Sequence, residues 1–222
     1  MLADETVEID IEGLAEANHY LWLVGSHSLK CKQPDEEGAD TAKQIAKLAK
    51  VKADPNRYLL ARIPLLRNAA TGNFELHKEA PHPTDPSQTL RAAQLHGNGK
   101  TNELLDALAK DIHLNPFVGI PGKDNGLDIK GLAVTFVGLR GPVLRGWALV
   151  LELRPEAGKH GRMRLGPVPG ATEKRYRKHF LDLGGMGLRE LRLRGADLLV
   201  LAGPTMSLDG TIAVYCWPGA TD

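Results

Sequence analysis

The chain has 222 residues, with 28 Lys and Arg against 27 Asp and Glu, and a formal net charge of +1 at pH 7. That balance excludes a globally basic nucleic-acid coat and an acidic disordered tail, while 42% apolar and 25% charged residues are ordinary for a folded domain. The 24 glycines and 14 prolines make the chain rich in turns without the period of collagen or of a linker, so a mainly β class of short strands is expected.

Met1 to Asp10 is acidic and lacks a charged-then-apolar leader pattern. No apolar run approaches the roughly 18 residues of a membrane helix, so a cytoplasmic protein with no membrane partner is expected. That expectation carries one reservation: an export signal could be missing if the N-terminus is truncated. Residues 7–15 (VEIDIEGLA) alternate and read as a strand, 20–24 (YLWLV) as its partner, with a turn at Ala17, Asn18 and His19. Residues 31–40 read as an exposed polar loop. Asp40 is placed to cap a helix through about Lys50, with Ile45, Leu48 and Ala49 as its core stripe. Residues 57–63 read as a strand ended by Pro64, and 77–88 as a proline-rich loop. Thr101 is placed to cap a second helix through Ile112, its apolar face Leu104, Leu105, Leu108 and Ile112. Short strands follow at 127–137, 147–153, 178–183, 188–193, 197–202 and 211–217. Cys31 and Cys216 lack ligand spacing and read as unpaired thiols.

The chain is self-similar at three places. Ile11-Glu12-Gly13-Leu14-Ala15, Ile129-Lys130-Gly131-Leu132-Ala133 and Leu188-Arg189-Glu190-Leu191 each lead into a second apolar run with a glycine exit. The exits carry Gly25, Gly138, Gly141–Pro142 and Gly203–Pro204. Each copy reads as one hairpin of a radial β array. The second copy is short after Ala133, as if its turn and part of a strand were absent, with Ala133 to Val137 running as one strand.

At these residues the chain resembles a bacterial family, domain of unknown function 3616. The stretches that carry the likeness are Asp10–Ser28, Arg57–Leu65, Lys123–Ala133, Val137–Glu152 and Tyr176–Gly210. The resemblance implies a β-propeller-like fold with repeated EGLA strands and carries no activity with it. The chain is therefore expected to form one propeller-like domain over 1–222, an incomplete or small ring, with helical insertions at about 40–52 and 101–113. Lys130 stands where the family usually has Glu. The EGLA strand is also similar to esterase-like phytase propellers, in which acidic residues approach a metal-binding channel. Calcium is implied only by that second likeness, and Lys130 weakens it, because an ammonium repels a hard cation. No cofactor and no metal ligand set is otherwise expected. The eight scattered histidines show no zinc spacing.

Several residues are candidates for binding. Glu12, Lys130 and Arg189 are equivalent by repeat and would meet if they face a common channel. Arg140 and Arg145, flanked by glycines, suit an anion held by guanidinium forks and backbone N–H groups. Lys123, Asn125 and Asp128 precede the second copy and belong to the same face, with Thr205 as the third-copy counterpart. Ser26 and His27 invite a nucleophile reading, but neighbouring residues of a strand point to opposite faces and no G-x-S-x-G elbow exists. No catalytic residue is assigned. The basic segment 159–179 suggests either a polyanion patch or a surface that faces the acidic N-terminal strand. The leading expectation is a binding scaffold whose loop face holds an anionic ligand or a protein partner. A phosphoester or ester hydrolase and a nucleic-acid binder stand behind it.

Overall fold

The computed structural model describes residues 9–34, 40–159, 161–171 and 175–222. The class is mainly β, as expected, in several sheets. Three antiparallel meanders hold the framework. The first runs from Ile11–Ala17 through Tyr20–Gly25 to Leu60–Arg67. The second runs Asp128–Ala133, Phe136–Gly141, Trp147–Leu153 and Tyr176–Asp182. The third runs Gly187–Arg194, Asp197–Gly203 and Ala213–Trp217. The leading strands of the first and second sheets pack on one another, as do those of the second and third. Residues 7 and 8 of the first anticipated strand lie outside the described residues.

The three opening hairpins share one irregularity. Pairing steps from Ile11↔Gly25 to Gly13↔Val24, from Ile129↔Leu139 to Gly131↔Gly138, and from Leu188↔Ala202 to Glu190↔Leu201. Each step leaves one residue bulged out of the ladder: Glu12, Lys130 and Arg189 respectively. A bulge re-aims its side chain and sharpens the local twist. The glycine that follows explains how the sheets approach. A Cβ on Gly13 would lie 2.8 Å from Leu132 Cβ, and one on Gly131 would lie 2.9 Å from the Leu191 backbone nitrogen. The glycine of one hairpin thus receives the leucine of the next. In the third hairpin Glu190 holds the glycine position and is exposed. Leu14, which no glycine receives, is 54% exposed, against 1% for Leu132 and 3% for Leu191. Gly131→Ala is expected to cost about 1–3 kcal/mol, since the clash is with backbone and no rotamer relieves it. Urea denaturation checks this, and an unchanged midpoint contradicts the packing argument.

The second hairpin corrects one expectation. Neither turn nor strand is missing: Ala133 pairs with Phe136 across Val134 and Thr135. The hairpin is two residue pairs shorter than the first, and losing whole pairs keeps the inside–outside alternation intact. Tightness shows at Val134, a β-branched residue at φ 56°. Such a residue is disfavoured there, where hairpin turns prefer glycine. Val134→Gly is expected to stabilise by about 1 kcal/mol, raising Tm by about 2–4 °C in a thermal melt.

Other boundaries also move. Pro64 does not end its strand, because the neighbouring groups carry the ladder: Leu65 N–H donates to His19 O at 2.8 Å and His77 N–H donates to Pro64 O at 2.9 Å. The loop at 77–88 contains the short strand Glu79–Pro81, paired with Thr89–Arg91. Pro155–Ala157 and Arg162–Leu165 leave the second sheet and join the first through Ala93–Leu95, tying the two together.

Asp40 caps the helix Thr41–Leu48 as expected, accepting from Ala42 N–H at 2.9 Å. Its stripe is not a core face among the described residues: Ile45 is 63% and Leu48 53% exposed. The second helix is Glu103–Leu108, capped by Asn102 rather than Thr101. Leu104, Leu105 and Leu108 are buried in a core with Val24, Leu60, Ile129, Leu139 and Leu151, while Ile112 lies beyond the helix and is exposed. Cys31 and Cys216 are both free. No helix among the described residues is long and apolar enough to cross a membrane.

Candidate functional site

The bulged residues converge between the sheets. Lys130 donates to Glu12 across the first and second sheets. Arg140 is bulged out of the partner strand, where Asp128↔Gly141 gives way to Ile129↔Leu139. Its Nε lies 2.6 Å from Asp128 Oδ2 in an ion pair whose side chains are 8% and 3% exposed. The N–H does not point along that contact, so neither atom makes a directed hydrogen bond. Among the described residues no acceptor engages the terminal nitrogens of Arg140. From the third sheet, Arg189 enters the field of Arg140 and Asp128, and burial together with the Arg140 charge lowers its pKa. Around the meeting point, three cations face two carboxylates.

Glu12, Asp128, Lys130 and Arg140 of this cluster floor a cavity of about 300 Å³, and Arg189 stands behind them without lining it. Glu12, Asp128, Lys130, Arg140, Arg57 and Ser28 line its inner part, with Lys30, Lys32, Lys50, Lys52 and Lys123 at its mouth. Arg57 donates to Ser28 Oγ at 2.6 Å and pairs with Asp10 at 2.9 Å. Lys30 pairs with Asp54. Lys32, Lys50, Lys52 and Lys123 have no carboxylate partner among the described residues. Burial pushes the Asp128 carboxyl up to about 6, against the pull of Arg140, Lys130 and Ser28. The group therefore stays mainly ionised at neutral pH and takes up a proton in mild acid.

Ser26 and His27 are buried but do not act on one another. Ser26 Oγ accepts from Ser28 Oγ at 3.1 Å. His27 stands at φ 52°, with Nδ1 2.9 Å from Gly25 O and Nε2 2.8 Å from the Asn102 amide nitrogen. The carbonyl requires a proton on Nδ1, which leaves Nε2 to accept, so the ring is neutral. Burial holds its pKa down at about 4. Asn102 also donates to Tyr58 O and caps the second helix, so His27 pins that helix to the first sheet.

Three candidates lie away from the cluster or serve the backbone. Arg145 is an exposed turn residue at φ 51°. Asn125 occupies a left-handed turn, and its Oδ1 accepts from Val143 N–H at 3.2 Å. Thr205 lines a separate open groove on the third sheet with Gly184 and Met206. Asp10, Glu12 and Asp128 are each held by a cation, and no three acidic, His or Cys side chains gather into a metal site among the described residues.

The basic segment is paired with carboxylates from outside its own span. Lys178 reaches Asp111 at 2.6 Å, His179 and Arg177 reach Glu152 at 2.9 and 3.4 Å, Arg164 reaches Glu156 at 3.2 Å, and Arg175 pairs with Glu103. Burial works against the Asp111 carboxylate, yet Lys178, Tyr176 and the His113 N–H hold it below the usual range. These partners replace the anticipated acidic N-terminal strand. Residues 1–8, 160 and 172–174 of those two segments lie outside the described residues.

The family model "Protein of unknown function (DUF3616)" matches residues 1–222. The chain belongs to that family. No curated protein and no solved structure matches it. In this DUF3616 chain the cavity mouth carries a lysine pattern of its own. Lys30-Cys31-Lys32 and Lys50-Val51-Lys52 repeat one lysine alternation, and all four lysines line the cavity. That alternation was the available signal. Arg57, Ser28 and Asn102 carry no local signature, because each is defined by partners distant in sequence.

Proposed function

We propose that this protein is a binding scaffold of consecutive propeller-like blades, with an anion site where their bulged residues meet. Three meanders with adjoining leading strands, each glycine receiving the next leucine, support the blade reading. The observation that carries the site is Arg140: a buried guanidinium on the floor of a lysine-rimmed cavity, with its terminal nitrogens unengaged among the described residues. A guanidinium fork matches the paired oxygens of phosphate or carboxylate, and a low-dielectric floor strengthens that contact. The surrounding excess of positive charge concentrates anions at the mouth.

Thermal unfolding in phosphate tests this reading. A ligand at a hundred-fold excess over its Kd adds about 2.7 kcal/mol to stability. Tm is expected to rise with millimolar phosphate at fixed ionic strength, and to rise less in Lys123→Glu, which reverses one exposed charge at the rim. No rise, or an equal rise in the variant, contradicts the proposal.

A further inference from the structure

The cavity carries its positive charge at two levels. Arg140 is buried at the floor, and Lys30, Lys32, Lys50 and Lys52 stand at the mouth, on and beside a short two-stranded ribbon. The ribbon pairs Lys30 with Lys52 and Cys31 with Val51. Lys32 and Lys50 flank that pairing, just outside its two strands. Like charges placed directly opposite across two strands are destabilising. Asp54 answers Lys30, but Lys32, Lys50 and Lys52 have no carboxylate partner among the described residues. All four lysines line the same cavity, so an anion within it lies in the field of their charges.

A single small oxyanion on Arg140 would leave the ribbon's repulsion unanswered. A ligand with a second anionic group would answer both levels at once. Resting on the anion-site reading above, we infer that the ligand is a phosphoanhydride-type oligoanion, with one phosphoryl group on Arg140 at the floor and the next on the Lys32, Lys50 and Lys52 ribbon. Chemistry favours phosphoryl groups over carboxylates at the mouth. A tetrahedral group offers oxygens in several directions to separate ammonium point charges, whereas a planar carboxylate suits one fork. The cavity of about 300 Å³ is at the lower end of small-ligand pockets, which suits a compact chain of this kind.

Calorimetric titration at fixed ionic strength with sodium diphosphate, inorganic phosphate and succinate tests the inference. Diphosphate is expected to bind at least about ten-fold tighter than phosphate, and tighter than succinate. In the double variant Lys50→Ser/Lys52→Ser the diphosphate preference is expected to fall to near one. The ligand-free variant is expected to melt higher than the wild type, because opposed charges have been removed; a lower melting temperature contradicts the ribbon argument. Equal affinity for phosphate and diphosphate, or a preference unchanged in the double variant, overturns the inference and leaves the anion site standing. Tighter binding of succinate overturns the phosphoryl assignment. No binding of any of the three anions overturns the inference and the anion site together.

Discussion

Arg140→Met is expected to destabilise the protein by about 3–5 kcal/mol at pH 8, the usual cost of removing one partner from a buried ion pair. The cost arises from what remains. Asp128 is 2% exposed and would be left charged without its guanidinium. Lys130 does not replace that partner, because it is engaged with Glu12. Two further measurements separate this from a loss of packing. The deficit is expected to shrink as pH falls, since Asp128 then escapes by taking a proton. Adding Asp128→Asn to Arg140→Met is expected to recover a large part of the loss. Double-mutant denaturation curves check both points. A deficit independent of pH, with no recovery in the double variant, shows that Arg140 acts through its stem alone.

The second large effect is a pH dependence in which two buried groups oppose each other. His27 has its folded pKa lowered from 6.5 to about 4. Its contribution to stability is present above pH 6.5 and is lost as pH falls through 4, about 3 kcal/mol in all. Asp128 has its folded pKa raised from 3.8 to about 6. Its contribution is present below pH 3.8 and is lost as pH rises through 6, also about 3 kcal/mol. Over the shared window the two slopes cancel. Asp128→Asn removes one of them, so its stability relative to the wild type is expected to fall by about 3 kcal/mol between pH 6.5 and 4. Parallel pH profiles for variant and wild type contradict the assignment of Asp128.

The hairpins were legible because strand alternation and turn residues are local. Ile11 to Gly25 shows its period, its turn and its exit within a short span. The repeat was legible because the glycine–leucine pair recurs, and the packing of Gly13 on Leu132 gives the reason. The short second hairpin misled, because a deletion of whole residue pairs looks like a lost strand until the register is known. Helix ends misled where tertiary partners decide them: Asn102 wins over Thr101 as a cap because it also holds His27 and Tyr58. Within the site, Glu12, Lys130 and Arg189 were legible as equivalents, but the pairing of Asp128 with Arg140 depends on hairpin register. The lysine ribbon was hidden for another reason. Its strands are two residues long, too short for periodicity to stand out, and a helix separates them.

The converging bulges build an anion site around Arg140 under the function proposed above. The most direct measurement is a crystal soaked in tungstate, a tetrahedral oxyanion located by anomalous scattering. The strongest peak is expected inside the cavity, within hydrogen-bond reach of the Arg140 guanidinium. A cavity without tungstate, beside crystals that hold the anion elsewhere on the surface, would contradict it.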